Sequence, residues 1–568
     1  MNAKKSVNRL SEPIIFSELV SRLECDCRGS SIEKDSHSTA YQIFPPSIAS
    51  SIEPKMGVCM SKNVVDVRYG NTATVMTSTS PKFLKKRDSD MNILVPTEPT
   101  MFISDESQFD RERVMIVICP NADPSKNSKI LLIDVDYYSK SYCSVISELT
   151  IPTTNDEMMY GGWIRSASKI EDINVLIRSQ LIVPCFSSSR TYIIAIDNQQ
   201  TLKIDKCIEA NEMLEKNVQC PINVCSWPGR GKPTVISMCG DHQRRARGDL
   251  CIFHYDYRKL MSRTDRGHAV FGGFLCLQPS QKIMITAEFG DPGKLMTAFL
   301  EDSEKHDDLQ QHAYGHCLNI WDDRLKLKQS IRLEENGALG FSCVRFIHNP
   351  ECNHGYACSP FGGAVFHIHK RSVSDEYVAD KVIHYGNAKV EGWIKSEMPA
   401  MPLDMVISMD DRFLFISCYL HGFIDQYNIC DPFRITPCCR LFIGGAIHRS
   451  LGVKLQRINA INFEPTRRFL RNIEFEGGPA RMQLSLDGRR LYVTNSFYTP
   501  WDMELFPKLK KSGSSIALIH VSVKSAGGMK LDENFAIHLN SSFVDNGPFL
   551  AREMKFMNGD STSDYCEE

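Results

Sequence analysis

Arg412-Phe-Leu-Phe-Ile-Ser417 and, after a short gap, Ile424-Asp-Gln-Tyr-Asn-Ile429 decide the fold. Half of the residues in each run are β-branched or aromatic. Asp410 and Asp411 precede the first, Leu420-His-Gly422 separates the two, and Cys430-Asp-Pro432 follows the second. Short apolar runs bounded by turn residues read as strands, and this pair reads as a hairpin. The second run has counterparts at Ile130–Asp136, Thr191–Asp197, Leu250–Tyr255, Leu318–Asp322, Ala364–His369 and Ser515–Val521. With Ile424–Ile429 they make seven, about 45 to 90 residues apart, the rhythm of a repeat architecture. Leu181–Val183 and Arg490–Thr494 precede two of them, as Arg412–Ser417 precedes Ile424. A chain with this many strands must dispose of its sheet edges, and radial repetition of four-stranded sheets does so. The expected fold is therefore all-β: a seven-bladed β-propeller over residues 66–568. Residues 1–65, rich in Ser, Pro and charge with one weak helical pattern at Ile14–Leu23, are expected to form a mostly disordered N-terminal extension. Helices are expected only in loops such as Pro292–Gln311.

Composition narrows the function. Lys+Arg number 66 against 68 Asp+Glu, a formal charge of −2. No global positive field exists to hold a polyanion, which argues against nucleic acid as a partner. The basic clusters Lys85-Lys86-Arg87 and Arg244-Arg245-Ala-Arg247 sit in polar stretches and read as solvated loops. No transmembrane segment is expected, because no stretch approaches the ~18 apolar residues that one requires. The polar Met1–Arg9 is not followed by the apolar core of a secretory signal. The 21 cysteines form no compact framework, so reduced thiols in the cytoplasm, and also the nucleus, are expected. Cys25-Asp-Cys27 and Cys438-Cys439 lack metal-finger spacing. Met56-Gly57-Val-Cys59-Met-Ser61 matches a myristoylation pattern, which reads as chance unless Gly57 becomes a terminus. Gly229-Arg-Gly-Lys-Pro233 lacks phosphate-loop spacing and reads as a turn. Arg247-Gly-Asp249 reads as a hairpin tip.

Longer segments carry a family resemblance. They include Ile133-Asp-Val-Asp136 leading to Ser141-Tyr-Cys-Ser-Val-Ile146, Val183-Pro-Cys-Phe-Ser-Ser-Ser-Arg190, and Arg345-Phe-Ile-His-Asn-Pro350. Leu420-His-Gly422, Leu441-Phe-Ile-Gly-Gly445 and the run from Gly477-Gly-Pro-Ala-Arg481 to Asp502 complete the set. Together they resemble the selenium-binding protein family, whose members include methanethiol oxidases, from about Tyr69 to the C-terminus. The resemblance implies a cytosolic propeller, sometimes nuclear or peripherally membrane-associated. It would bind selenium or a small thiol, have protein partners, and in some members oxidise methanethiol to formaldehyde, hydrogen sulfide and hydrogen peroxide with copper. It places selenium on Cys143, within Tyr142-Cys-Ser-Val-Ile146. A thiol suits that role when its thiolate is accessible; a small buried strand residue is the alternative reading.

At the metal positions the chain departs from that pattern. The family's His-His pair before Gly-Trp reads Met159-Tyr160-Gly-Gly-Trp163, a second histidine segment reads Cys225-Ser-Trp-Pro-Gly-Arg230, and Gly-Pro-x-Leu-Ala-His reads Gly547-Pro-Phe-Leu-Ala-Arg552. Met159, Tyr160 and Arg552 are thus degenerate ligand positions, and a buried Arg552 would repel copper. Met159, Tyr160 and Cys225 offer at most a softer set suited to Cu(I). His421 and His348 remain as candidate metal ligands, each also readable as a structural histidine. His367 and His369 share a strand face, read as an exposed outer strand. Glu288 and Asp404 are read as strand-end acids that orient a ligand or cap a turn. The balance favours a selenium- or thiol-binding propeller with a degenerate metal site, with a copper-dependent methanethiol oxidase as the alternative. A lactonase-like hydrolase would need channel carboxylates around calcium, and no compelling set is seen.

Overall fold

The computed structural model describes residues 65–67 and 110–562, apart from 166–175, 198–199, 229–232, 255–258, 263–267, 297–312, 372–373, 448–451 and 457–464. Residues 1–64 of the expected extension 1–65, the pattern at Met56, the Lys85 cluster and Gly229–Lys232 lie outside the described residues, while Val65, its last residue, is in a strand.

Among the described residues, seven antiparallel sheets built on four strands each make seven blades; the four are consecutive in the chain in all but the first, which takes its inner strand from the C-terminal segment. From inner to outer strand, blade 1 is Glu553–Phe556, Val114–Cys119, Lys129–Asp134 and Val145–Thr150; blade 2 is Gly162–Trp163, Gln180–Pro184, Thr191–Ile196 and Leu202–Ile208. Blade 3 is Gln219–Ser226, Thr234–Gly240, Ala246–His254 and Lys259–Ser262; blade 4 is Gly273–Gln278, Ile283–Glu288, Cys317–Asp322 and Leu327–Arg332. Blade 5 is Cys343–Phe346, His354–Ser359, Ala364–Lys370 and Tyr377–Tyr385; blade 6 is Pro402–Ile407, Phe413–Cys418, Phe423–Asn428 and Thr436–Phe442. Blade 7 is Met482–Leu484, Arg490–Thr494, Ser515–Val521 and Met529–Leu531. Val65–Val67 adds a parallel fifth strand to blade 5, Val65 opposite Ile383.

All seven segments recognised in the sequence are third strands. Their legibility has a physical cause: a third strand lies inside its sheet, between two neighbouring blades. Lys129–Asp134 is buried at every position, whereas the outer strands Val145–Thr150 and Leu327–Arg332 alternate between half-buried and exposed. Buried strands read as continuous apolar runs and edge strands as alternation. The core lies between blades. Ile116, Ile130 and Leu132 of blade 1, for example, pack against Leu181, Val183 and Ile194 of blade 2. The C-terminal segment closes the ring, because Glu553–Phe556 pairs with Val114–Cys119, Met115 opposite Phe556.

Among the described residues, helix is confined to short pieces, including Pro292–Leu295, where Asp291 caps the first turn, and Thr499–Leu505. Arg247-Gly-Asp249 is no hairpin tip: it lies in the strand Ala246–His254, and the tip is formed by the turn in which Arg244 N–H donates to Asp241. His367 and His369 belong to a third strand, not an outer one. His367 is buried, with its Nε2 2.9 Å from His354 Nδ1. Every described cysteine is a free thiol, and among the described residues no helix is long and apolar enough to cross a membrane.

Candidate functional site

Blade topology decides which side chains meet on the axis. Inner strands all run in one direction, so residues just before them share one rim of the ring. Met159 and Tyr160 precede Gly162–Trp163, Arg481 precedes Met482–Leu484, and Arg552 precedes Glu553–Phe556. Met159, Tyr160 and Arg552, the three positions expected to be degenerate, therefore gather on that rim, together with Arg481.

Arg552 is completely buried. Its Nη2 donates to Glu157 Oε1 at 2.8 Å and Thr499 Oγ1 at 2.6 Å, and its Nη1 donates to Asp502 Oδ2 at 2.9 Å and to the Ser496 hydroxyl. Asp502, in the helix Thr499–Leu505, also accepts from Tyr419 Oη at 2.5 Å and from the Phe497 amide at 3.0 Å. Burial still raises its pKa, against the pull of Arg552. One guanidinium here serves two buried carboxylates, Glu157 and Asp502.

Next to it, the Arg481 guanidinium lies 4.7 Å from the Tyr160 ring centroid and 5.0 Å from those of Phe274 and Phe497. Asp404 is 3.6 Å away, and Arg481 Nε and Nη2 have no hydrogen-bond partner among the described residues. Tyr160 Oη accepts from Arg345 at 2.8 Å, and burial drives its phenol pKa well up. Met159 lies in the same rim cluster, with Phe186, Phe289 and Trp501. Sequence reasoning missed Arg481, although it lies within the motif starting at Gly477; a charged residue immediately before an inner strand was the available signal. Asp404 is within the inner strand Pro402–Ile407, not at its end, and accepts from the Met482 amide at 2.8 Å.

Deeper along the axis, Lys555 donates to Thr562 Oγ1 at 2.6 Å and lies 3.4 Å from Glu553 and 3.7 Å from Asp560. Burial pushes the Glu553 carboxyl up to about 7. Cys225 lines the cavity there with Tyr160, Arg345 and Lys555, but its thiol faces the Leu275 carbonyl at 3.5 Å within the core between blades 3 and 4. Met159 and Cys225 thus occupy different clusters and do not form a joint ligand set.

The remaining candidates are dispersed. His421 lies in the turn between the second and third strands of blade 6, at the rim where inner strands begin; its Nε2 is 3.0 Å from the Met398 carbonyl, and burial lowers its pKa to about 3. His348 follows the end of the inner strand Cys343–Phe346, at the opposite rim. Its ring nitrogens lie 2.9 Å from Asp411 Oδ1 and 2.9 Å from the Ser561 carbonyl. Opposite rims prevent these two histidines from sharing one ion. Glu288 caps its neighbours, accepting from Asn319 Nδ2 at 3.1 Å and from the Cys317 amide at 3.2 Å. Cys143 occupies the turn before the outer strand of blade 1, far from the axis in the blade order, with φ 64°. It is buried, its amide donates to the Asp134 carbonyl at 2.8 Å, and burial raises its thiol to about 11. Among the described residues, no three His, Cys, Asp or Glu side chains are grouped to hold a metal ion.

Comparison with known proteins agrees with this architecture. The model of the 56 kDa selenium-binding protein family matches residues 96–566. A Caenorhabditis briggsae relative named as a selenium-binding protein is 34% identical over 90% of this chain and 99% of its own. A Xenopus tropicalis protein named methanethiol oxidase is 33% identical over 81% of this chain and 96% of its own. The crystal structure of a hypothetical selenium-binding protein from Sulfolobus tokodaii superposes with a TM-score of 0.69 at 23% identity, covering 81% of this chain and 97% of that one. Sheet count, ring closure and sequence thus lead to one conclusion: the chain belongs to the 56 kDa selenium-binding protein family.

Proposed function

We propose that this family member is a selenium- or thiol-binding propeller whose axial metal position is degenerate. The observation that carries the reading is Arg552, whose guanidinium is held by Glu157 and Asp502 at 2.8 and 2.9 Å. An arginine cannot shed its proton to become a ligand, and its charge opposes a copper ion in the same cavity. Tyr160 Oη is committed to Arg345 and held as the neutral phenol; Met159 offers a thioether, and His421, the histidine on this rim, has its Nε2 on the Met398 carbonyl at 3.0 Å. These residues do not fit a copper ion.

Selenium is assigned to Cys143, because a thiol can bond that element directly. With its pKa raised to about 11, the thiolate is scarce at neutral pH, so loading is slow and depends on opening of the turn. Small thiols or selenium compounds are the ligands, protein partners are expected, and free thiols fit a cytoplasmic or nuclear setting. Methanethiol oxidase activity is the second reading, favoured by the names of the vertebrate relatives.

Copper analysis of protein purified from copper-supplemented cells separates the two. The expected result is background copper in the unaltered chain, with no hydrogen peroxide released from methanethiol. Stoichiometric copper would establish the oxidase reading instead. A chain carrying Met159→His, Tyr160→His and Arg552→His together tests whether the position can be rebuilt. Selenium retained after incubation with selenite, and lost in Cys143→Ala, tests the cysteine assignment.

A further inference from the structure

The chain turns back on itself after its last inner strand. Gly559, at φ 106°, closes a tight turn in which its amide donates to the Phe556 carbonyl at 3.1 Å. Asp560, Ser561 and Thr562 then enter the axis, at 0%, 6% and 6% exposure. Three blades hold them. Thr562 Oγ1 accepts from Lys555 Nζ of blade 1 at 2.6 Å and from Gln483 Nε2 of blade 7 at 3.1 Å. The Ser561 carbonyl lies 2.9 Å from Nε2 of His348, which follows the inner strand of blade 5 and has its Nδ1 2.9 Å from Asp411 Oδ1. His348, a candidate metal ligand in the sequence, thus clamps the C-terminal segment at the rim where inner strands end.

Polar contacts make this attachment. Among the described residues, none beyond Met557 joins a hydrophobic cluster. Such hydrogen bonds exchange almost evenly with bonds to water, whereas the blades are held to one another by apolar burial. The inserted segment also leaves polar groups unserved. Ser561 Oγ has no hydrogen-bond partner among the described residues, and the same holds for Trp163 Nε1 and the Asn223 side-chain amide. Trp163, Asn223 and Cys225 line, together with Thr562, a cavity of about 10 Å³, room for about one water. Water entering the axis would serve these groups, which offsets the bonds lost when the segment withdraws.

We propose that residues 560–562 are a displaceable plug in the axial channel, clamped by His348, Gln483 and Lys555, and that its withdrawal opens the cavity behind it and the Cys225 thiol to solvent. The plug gates the channel by local opening, with the blades intact. Its working depends on neither the selenium nor the copper reading.

Alkylation of the full reduced chain by iodoacetamide, followed cysteine by cysteine by mass spectrometry, tests it. In that reaction the cysteine sulfur displaces iodide and its proton passes to solvent. In the unaltered chain the exposed Cys430 should react fast and Cys225 slowly. Thr562→Val keeps the shape of the side chain but removes the acceptor for Lys555. It should speed Cys225 roughly tenfold, the effect of one lost hydrogen bond to a charged group. His348→Ala should act in the same direction, and truncation after Gly559 most strongly. Cys119 and Cys418, fully buried on the second strands of blades 1 and 6, should keep their rates throughout. Where the truncated chain does not fold, the two point variants decide. A Cys225 rate equal to that of Cys430 in the unaltered chain, or unchanged in Thr562→Val or in His348→Ala, would overturn the plug. Acceleration of Cys119 and Cys418 in step with Cys225 would overturn it too, since that pattern reports unfolding of the ring.

Discussion

Arg552 is the most deeply committed charge in the propeller: it is completely buried and paired with two carboxylates. Its burial between Glu157 and Asp502 makes it structurally indispensable: Arg552→Met should cost about 3–5 kcal/mol, because two carboxylates lose their cation. Chemical denaturation reads that loss, and adding Glu157→Gln and Asp502→Asn should recover most of it. Titration of buried groups yields a second prediction. His367 and His421 are held down to about 3 by burial, below the ~6.5 of a free imidazole. Each is neutral when folded and binds a proton when unfolded. Their stabilisation is thus complete above about pH 6.5 and declines toward pH 3, by roughly 1.4 kcal/mol per pH unit for each. Glu553 acts in the opposite sense: its folded pKa of about 7 lies above the ordinary 4.5, so its contribution worsens as pH rises between those values. Denaturation midpoints at pH 5, 6 and 7.5 should show a shallower acid loss in His421→Gln and a steeper one in Glu553→Gln.

Among elements, the third strands were legible and the inner strands were not. Third strands are long and buried on both faces, whereas inner strands can be as short as Gly162–Trp163 and Met482–Leu484. Too few residues remain there for periodicity to register. The Leu420-His-Gly422 motif is explained at this scale. Gly422 adopts φ +80°, and a Cβ there would come within 1.7 Å of the Gly444 carbonyl oxygen. Gly422→Ala should therefore cost about 1–3 kcal/mol or more. Gly452, at φ +76° with nothing within 4 Å, should lose only the smaller intrinsic penalty of about 1 kcal/mol. Thermal midpoints of the two variants side by side check the difference.

For the whole molecule, closure is the decisive feature. The C-terminal inner strand completes the first blade and carries Arg552, Glu553 and Lys555 into the axis. Truncation after Leu550 should abolish the cooperative unfolding transition, measured by circular dichroism, because blade 1 loses its inner strand and the ring gains open edges. Removal of residues 1–61 should leave the transition unchanged, since the propeller strands fall within the unit Lys62–Glu568.

Fold class and blade count were determined by the sequence alone, because apolar runs and turn residues are local properties of the chain. Tertiary structure decided which of these residues meet. It gathered Met159, Tyr160, Arg481 and Arg552 on one rim, sent His348 and His421 to opposite rims, and left Trp163 and Asn223 unsatisfied beside Lys555. Such encounters depend on strand direction and ring closure, which bring together positions hundreds of residues apart and leave no trace in local spacing.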